Sequence, residues 1–84
     1  MLNVYPNPIR GRQLNIEIGS WIDHRELTAL RITDLFGQPL IDKTMRLEPN
    51  VLTRIDVSSL EVGEYILIAV NDRERHTLRF TISR

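Results

Sequence analysis

Residues 55–65 read Ile55-Asp56-Val57-Ser58-Ser59-Leu60-Glu61-Val62-Gly63-Glu64-Tyr65. An alternating strand ends here, a polar corner follows, and a second strand begins at once. Leu60, Gly63 and Tyr65 have the spacing of a tyrosine corner. In that feature a Tyr near a strand start sends its hydroxyl back to upstream backbone, at an arch between two packed sheets. Gly63 suits an arch whose backbone is closed to residues carrying a Cβ. The stretch therefore predicts a β-sandwich.

Outward from it, apolar residues recur with period two, not 3.6. Leu14, Ile16 and Ile18 share one face of 13–18, and Leu30 and Ile32 share one face of 30–34. Ile55 and Val57 point inward in 53–57, as do Leu78, Phe80 and Ile82 in 78–83. The run Tyr65-Ile66-Leu67-Ile68-Ala69-Val70 is apolar on both faces, which marks a central strand or one partly covered outside.

Turn signals separate these runs at the spacing of a sandwich. Phe36-Gly37-Gln38-Pro39 precedes a strand over Leu40–Met45, Glu48-Pro49-Asn50 precedes the next, and Asn71-Asp72-Arg73-Glu74 reads as a hairpin loop. With a short strand at Leu2–Tyr5 the total is about seven, an all-β chain read as an immunoglobulin-like sandwich. A small barrel is the alternative. Residues 19–28, containing Trp21 and His24, read as a loop crossing between sheets, with or without a helical turn. Tyr5-Pro6-Asn7-Pro8 reads as a stiff, extended opening segment that suits a sheet edge, because neither proline can donate to a ladder.

Eighty-four residues make one small domain, 1–84, with no room for a second core. Eleven basic residues balance eleven acidic ones, so nothing calls for a nucleic acid or an acidic membrane surface. Cysteine is absent, which removes disulfides and thiolate chemistry. No apolar run approaches the ~20 residues of a membrane-spanning helix, so no membrane insertion is expected. No signal peptide is visible, which reads either as a cytosolic protein or as an excised domain whose export signal lies elsewhere, and the abrupt start favours excision.

Chemistry-bearing residues are sparse. His24, beside Asp23 and Glu26, lacks a second histidine at ligand spacing and reads as a solvated loop residue. His76 is the other histidine. Ser58 and Ser59 lack a nearby base and a glycine-framed turn, so they read as turn caps. Asp34 reads as the anchor of the turn that follows it. Neither a catalytic constellation nor a cofactor cradle emerges, and the chain is not read as an enzyme. Trp21 either covers one end of the sandwich or contacts a partner or sugar. Arg73, Arg75, Arg79 and Arg84 make the last hairpin basic, read either as a solvated, aggregation-resistant face or as a docking surface.

Five pieces now fall in order: Val4-Tyr5-Pro6-Asn7-Pro8, Leu14-Asn15-Ile16, Ile32-Thr33-Asp34-Leu35-Phe36-Gly37-Gln38-Pro39-Leu40, the 55–65 corner, and Leu78-Arg79-Phe80-Thr81-Ile82-Ser83-Arg84. In this order they resemble the C-terminal sorting domain of type IX (Por) secretion cargo from Bacteroidota. The resemblance implies an immunoglobulin-like sandwich that serves as an address for an upstream passenger. By position, Tyr5, Pro6, Asn7, Pro8, Asp34, Gly37, Ser58, Leu60, Gly63 and Tyr65 correspond to its recurrent elements. Its implied partners are the outer-membrane type IX machinery and a sortase-like cysteine protease. The implied route is export through the periplasm to the surface or beyond. Two departures stand out: Arg84 where the family often has lysine, and Glu64 where an apolar residue is common, which reads as a more exposed edge.

The resemblance and the basic, alternating end of the chain place recognition on Leu78, Arg79, Phe80, Thr81, Ile82, Ser83 and Arg84. The competing function is an extracellular adhesion or carbohydrate-binding module using Trp21.

Overall fold

The computed structural model describes residues 2–18, 27–47, 51–72 and 74–84, with the Ile18 side chain excepted. The expectations for Trp21, Asp23, His24, Glu26, the Glu48-Pro49-Asn50 turn and Arg73 lie outside the described residues. The strands are β1 (Leu2–Tyr5), β2 (Gln13–Ile18), β3 (Thr28–Thr33), β4 (Pro39–Met45), β5 (Thr53–Asp56), β6 (Gly63–Val70) and β7 (Arg75–Ile82). They form two antiparallel sheets, ordered β1-β2-β5 and β4-β3-β6-β7. Among the described residues only one isolated bridge, Ile9 to Ile82, links a segment of the first layer's connections to the second sheet. The sheets stay separate, so the fold is a sandwich and the barrel alternative falls.

Period-two patterning builds the core. Leu14, Ile16, Ile55 and Val57 face Leu30, Ile32, Leu67, Phe80 and Ile82, all buried. Each such side chain contributes about 1.5–3 kcal/mol on leaving water. The doubly apolar strand is β6, which takes the central place expected of it, between β3 and β7, while its outer face stays only half-buried. Edge strand β4 carries exposed Asp42, Lys43 and Thr44, which discourage pairing with another chain.

Three local expectations change. Thr28 is a fully buried strand residue, not part of the crossing loop, because its pairing with Met45 starts the β3–β4 ladder. Glu64 is not at an edge: β6 is internal, and Glu64 is exposed because it points to the outer face. The prolines do not run extended; Tyr5 closes β1, and Pro6 and Pro8, each after a cis bond, lie in bends outside the ladder.

Candidate functional site: the corner and the last strand

The corner is built from its own side chains. Asp56 Oδ1 accepts the Ser58 amide at 2.8 Å, and the Leu60 amide donates to the Val57 carbonyl at 3.0 Å. The Ser58 hydroxyl and amide together hold the Asp56 carboxyl below its ordinary 3.8, because both stabilise the charged form. Tyr65 Oη donates to the Glu61 carbonyl at 2.6 Å, which makes the tyrosine corner. Gly63 adopts a φ of 157° where the chain turns into β6, next to the Tyr65 ring. That ring stacks on Phe80 of β7, with centroids 5.8 Å apart. Ser58 is exposed and Leu60 is buried under the corner.

The other matched positions hold loops. Asp34 Oδ1 accepts the amides of Phe36 and Gln38, both at 2.9 Å, and its carbonyl accepts Gly37 N–H at 3.1 Å. Gly37 has a φ of 87°, a left-handed conformation that favours glycine. Tyr5 Oη donates to Glu17 across β1–β2 at 2.7 Å, which pushes the Tyr5 hydroxyl above its ordinary 10.0.

Residues 7–11 cross to the second sheet. There Asn7 Oδ1 accepts the Thr81 amide at 3.1 Å. Ile9, fully buried, donates to the Thr81 carbonyl at 2.7 Å and accepts Ser83 N–H at 2.8 Å. The end of β7 thus has a strand-like neighbour on its outer edge.

The residues assigned to recognition divide accordingly. Phe80 and Ile82 are fully buried in the core and Leu78 packs against it. Arg79 lies exposed on the outer face and pairs with Glu64 at 2.7 Å. Thr81 and Ser83 are half-buried beside the 7–11 segment. Arg84 folds back: Nε donates to the Gly11 carbonyl at 3.0 Å, Nη2 to Val57 at 2.9 Å, and Nη1 to Leu60. Sequence reasoning missed Ile9, Gly11 and Val57 as partners of the last strand. Gly11 and Val57 act through carbonyls, which every residue has, and only the alternation of Val57 with Ile55 was readable. Ile9 follows the prolines with no periodic neighbour to mark it as core.

Toward its start, the outer edge of β7 has no strand neighbour among the described residues. The β6–β7 ladder runs from Gly63↔Ile82 to Val70↔Arg75 without a register shift. In an antiparallel ladder each residue sends its N–H and C=O to the same side, and sides alternate. Thr81 sends both away from β6, to Asn7 and Ile9. By parity, Arg79, Thr77 and Arg75 also aim their backbone groups at the outer edge.

Among the described residues there is no group of three His, Asp or Glu placed to hold a metal, and no helix long and apolar enough to cross a membrane. A family model described as "Secretion system C-terminal sorting domain" matches residues 3–83, nearly the whole chain. No curated protein matches the chain.

Proposed function

This chain belongs to the secretion system C-terminal sorting domain family, and we propose that its address is read along the open edge of β7. The family is the sorting signal of type IX secretion, which carries an attached passenger across the outer membrane; it is not an enzyme family. The adhesion or sugar-binding alternative is not favoured.

Strand addition is the reading's physical mechanism. A partner strand pairs with the free N–H and C=O groups of Arg75, Thr77 and Arg79, while basic side chains select among partners. The supporting observation is ladder parity: the edge is open there and closed by Asn7 and Ile9 further on. In the full route, the passenger folds in the periplasm, the machinery engages the folded sandwich, and a sortase-like cysteine protease removes it. Within 78–84, Leu78, Phe80 and Ile82 hold the strand's shape, Thr81, Ser83 and Arg84 fasten it, and Arg79 faces the partner.

Deleting Phe80–Arg84 is a poor test, because it removes two core side chains. Thr77→Pro is better: it deletes an outward donor and leaves the β6–β7 bonds in place. A reporter fused to this domain in a type IX-competent cell should reach the surface less with Thr77→Pro, while the purified variant keeps its melting midpoint within a few degrees. Undiminished surface export by a Thr77→Pro domain that folds would overturn the edge reading.

A further inference from the structure

The outer face of the second sheet has a composition the two-layer fold does not explain. A solvated antiparallel face is expected to be polar. Instead Ile66, Ile68 and Val70 of β6 and Ala29 of β3 line it, with Ile66 and Ile68 half-buried and Val70 exposed. Ala29, Arg31, Asp42, Ile68, Val70 and Arg75 enclose a shallow concavity of about 270 Å³.

Register fixes what surrounds it. Val70 lies between Arg75 on β7 and Ala29 on β3, and Ile68 lies between Thr77 and Arg31. Arg75 and Arg31 are therefore diagonal, two strands and two residues apart, with Cα atoms roughly 12 Å from one another by sheet spacings. Long side chains from these positions converge above Ile68 and Val70. Arg31 is held by Asp42 through Nε at 3.1 Å, which aims its guanidinium. Among the described residues Arg75 has no salt-bridge partner. The concavity thus has an apolar floor, two cationic walls and one carboxylate already engaged.

We propose that this face is a second docking site, and that it takes an extended, acidic segment of a partner protein with aliphatic residues on either side of the acid. The carboxylate sits between Arg75 and Arg31, where a guanidinium pairs in planar fashion, and the aliphatic groups cover Ile68 and Val70. A peptide fits better than a free fatty acid. The concavity is open, so a lone small acid buries little of itself, whereas a chain continues along Ile66 and Thr77. The site differs from the strand-addition edge in its floor, which lies on β6 and β3, and it shares with that edge the β7 residues Arg75 and Thr77, here through their side chains on the outer face.

The test is a titration of the purified domain, followed through the methyl resonances of Ile68 and Val70. The probe is the capped peptide Leu-Ser-Asp-Ser-Leu, whose alternate residues face one side of an extended chain. Millimolar peptide should shift these methyls and leave Leu14 and Ile55 unmoved. Arg75→Glu, an exposed change that preserves the core, should weaken binding about threefold to tenfold, as should Asp→Asn in the peptide. Ile68→Thr should weaken it while Arg75 is intact. No shift at Ile68 and Val70 would overturn the proposal, as would equal binding by Arg75→Glu or by the Asn peptide. Hexanoate binding as tightly as the peptide would also overturn it, in favour of a small-acid site.

Discussion

Arg84 donates from Nη2 to the Val57 carbonyl at 2.9 Å, which fastens the end of β7 to the corner that leads into β6. The same guanidinium reaches Leu60 and Gly11, so one side chain ties the end of β7 to two separate stretches of backbone, the corner and the segment around Gly11. A carbonyl needs a donor or water, and a planar fork supplies several donors in fixed directions.

Arg84→Ala should therefore lower stability by about 1–3 kcal/mol, the range for hydrogen bonds to a charged group reduced by partial exposure. Arg84→Lys should recover only part of the loss, because a single ammonium cannot span the three carbonyls. Urea unfolding of the three proteins checks this. Full recovery by lysine would mean that charge alone matters at this position.

Tyr65→Phe keeps the stack on Phe80 and removes only the bond to the Glu61 carbonyl. A net loss of ~0.5–1.5 kcal/mol is expected, and in a domain of this size it lowers the melting midpoint by several degrees. An unchanged midpoint in a thermal scan would remove the hydroxyl from the stabilising features of the corner.

The corner also sets an acid limit. Asp56 has a folded value below its ordinary 3.8, so the unfolded chain binds its proton first as pH falls. Its contribution is present above the unfolded value and is lost as pH drops from 3.8 through the lower folded value. The stability difference between the native chain and Asp56→Ala should be largest near neutral pH and shrink steadily below that point. Denaturation at stepped pH measures it, and a difference that grows on acidification would contradict the assigned bond to Ser58.

Much of this was legible from residue pattern. Leu14, Ile16, Leu30, Ile32, Phe80 and Ile82 declared their faces by alternation, and β6 declared its central place by being apolar on both sides. Tyr65 and Asp34 carry short-range side-chain bonds to backbone, so spacing alone exposed their roles. The fate of the last strand was not legible. Alternation shows that Phe80 points inward, but it does not show which segment lies along the other edge of β7. That depends on Asn7 and Ile9, 74 residues from their partner in the case of Asn7 and Thr81. Arg84 reads as a free positive charge in one dimension and becomes a clamp only when Gly11, Val57 and Leu60 are brought together.

Thr28 offers a test of the core. It is fully buried at the start of β3, and its Oγ1 has no hydrogen-bond partner among the described residues. A buried hydroxyl left unpaired costs free energy that an apolar group of the same shape does not. Valine matches threonine in branching and in preference for strands. Thr28→Val should therefore raise stability by about 1–2 kcal/mol, within the penalty measured for unpaired buried polar groups. Thr28→Ala separates the two contributions, since it removes the hydroxyl and the methyl together and leaves a small void. The expected order in urea unfolding is valine above threonine and threonine above alanine. A valine variant less stable than the native chain would show that the Thr28 hydroxyl is satisfied in solution.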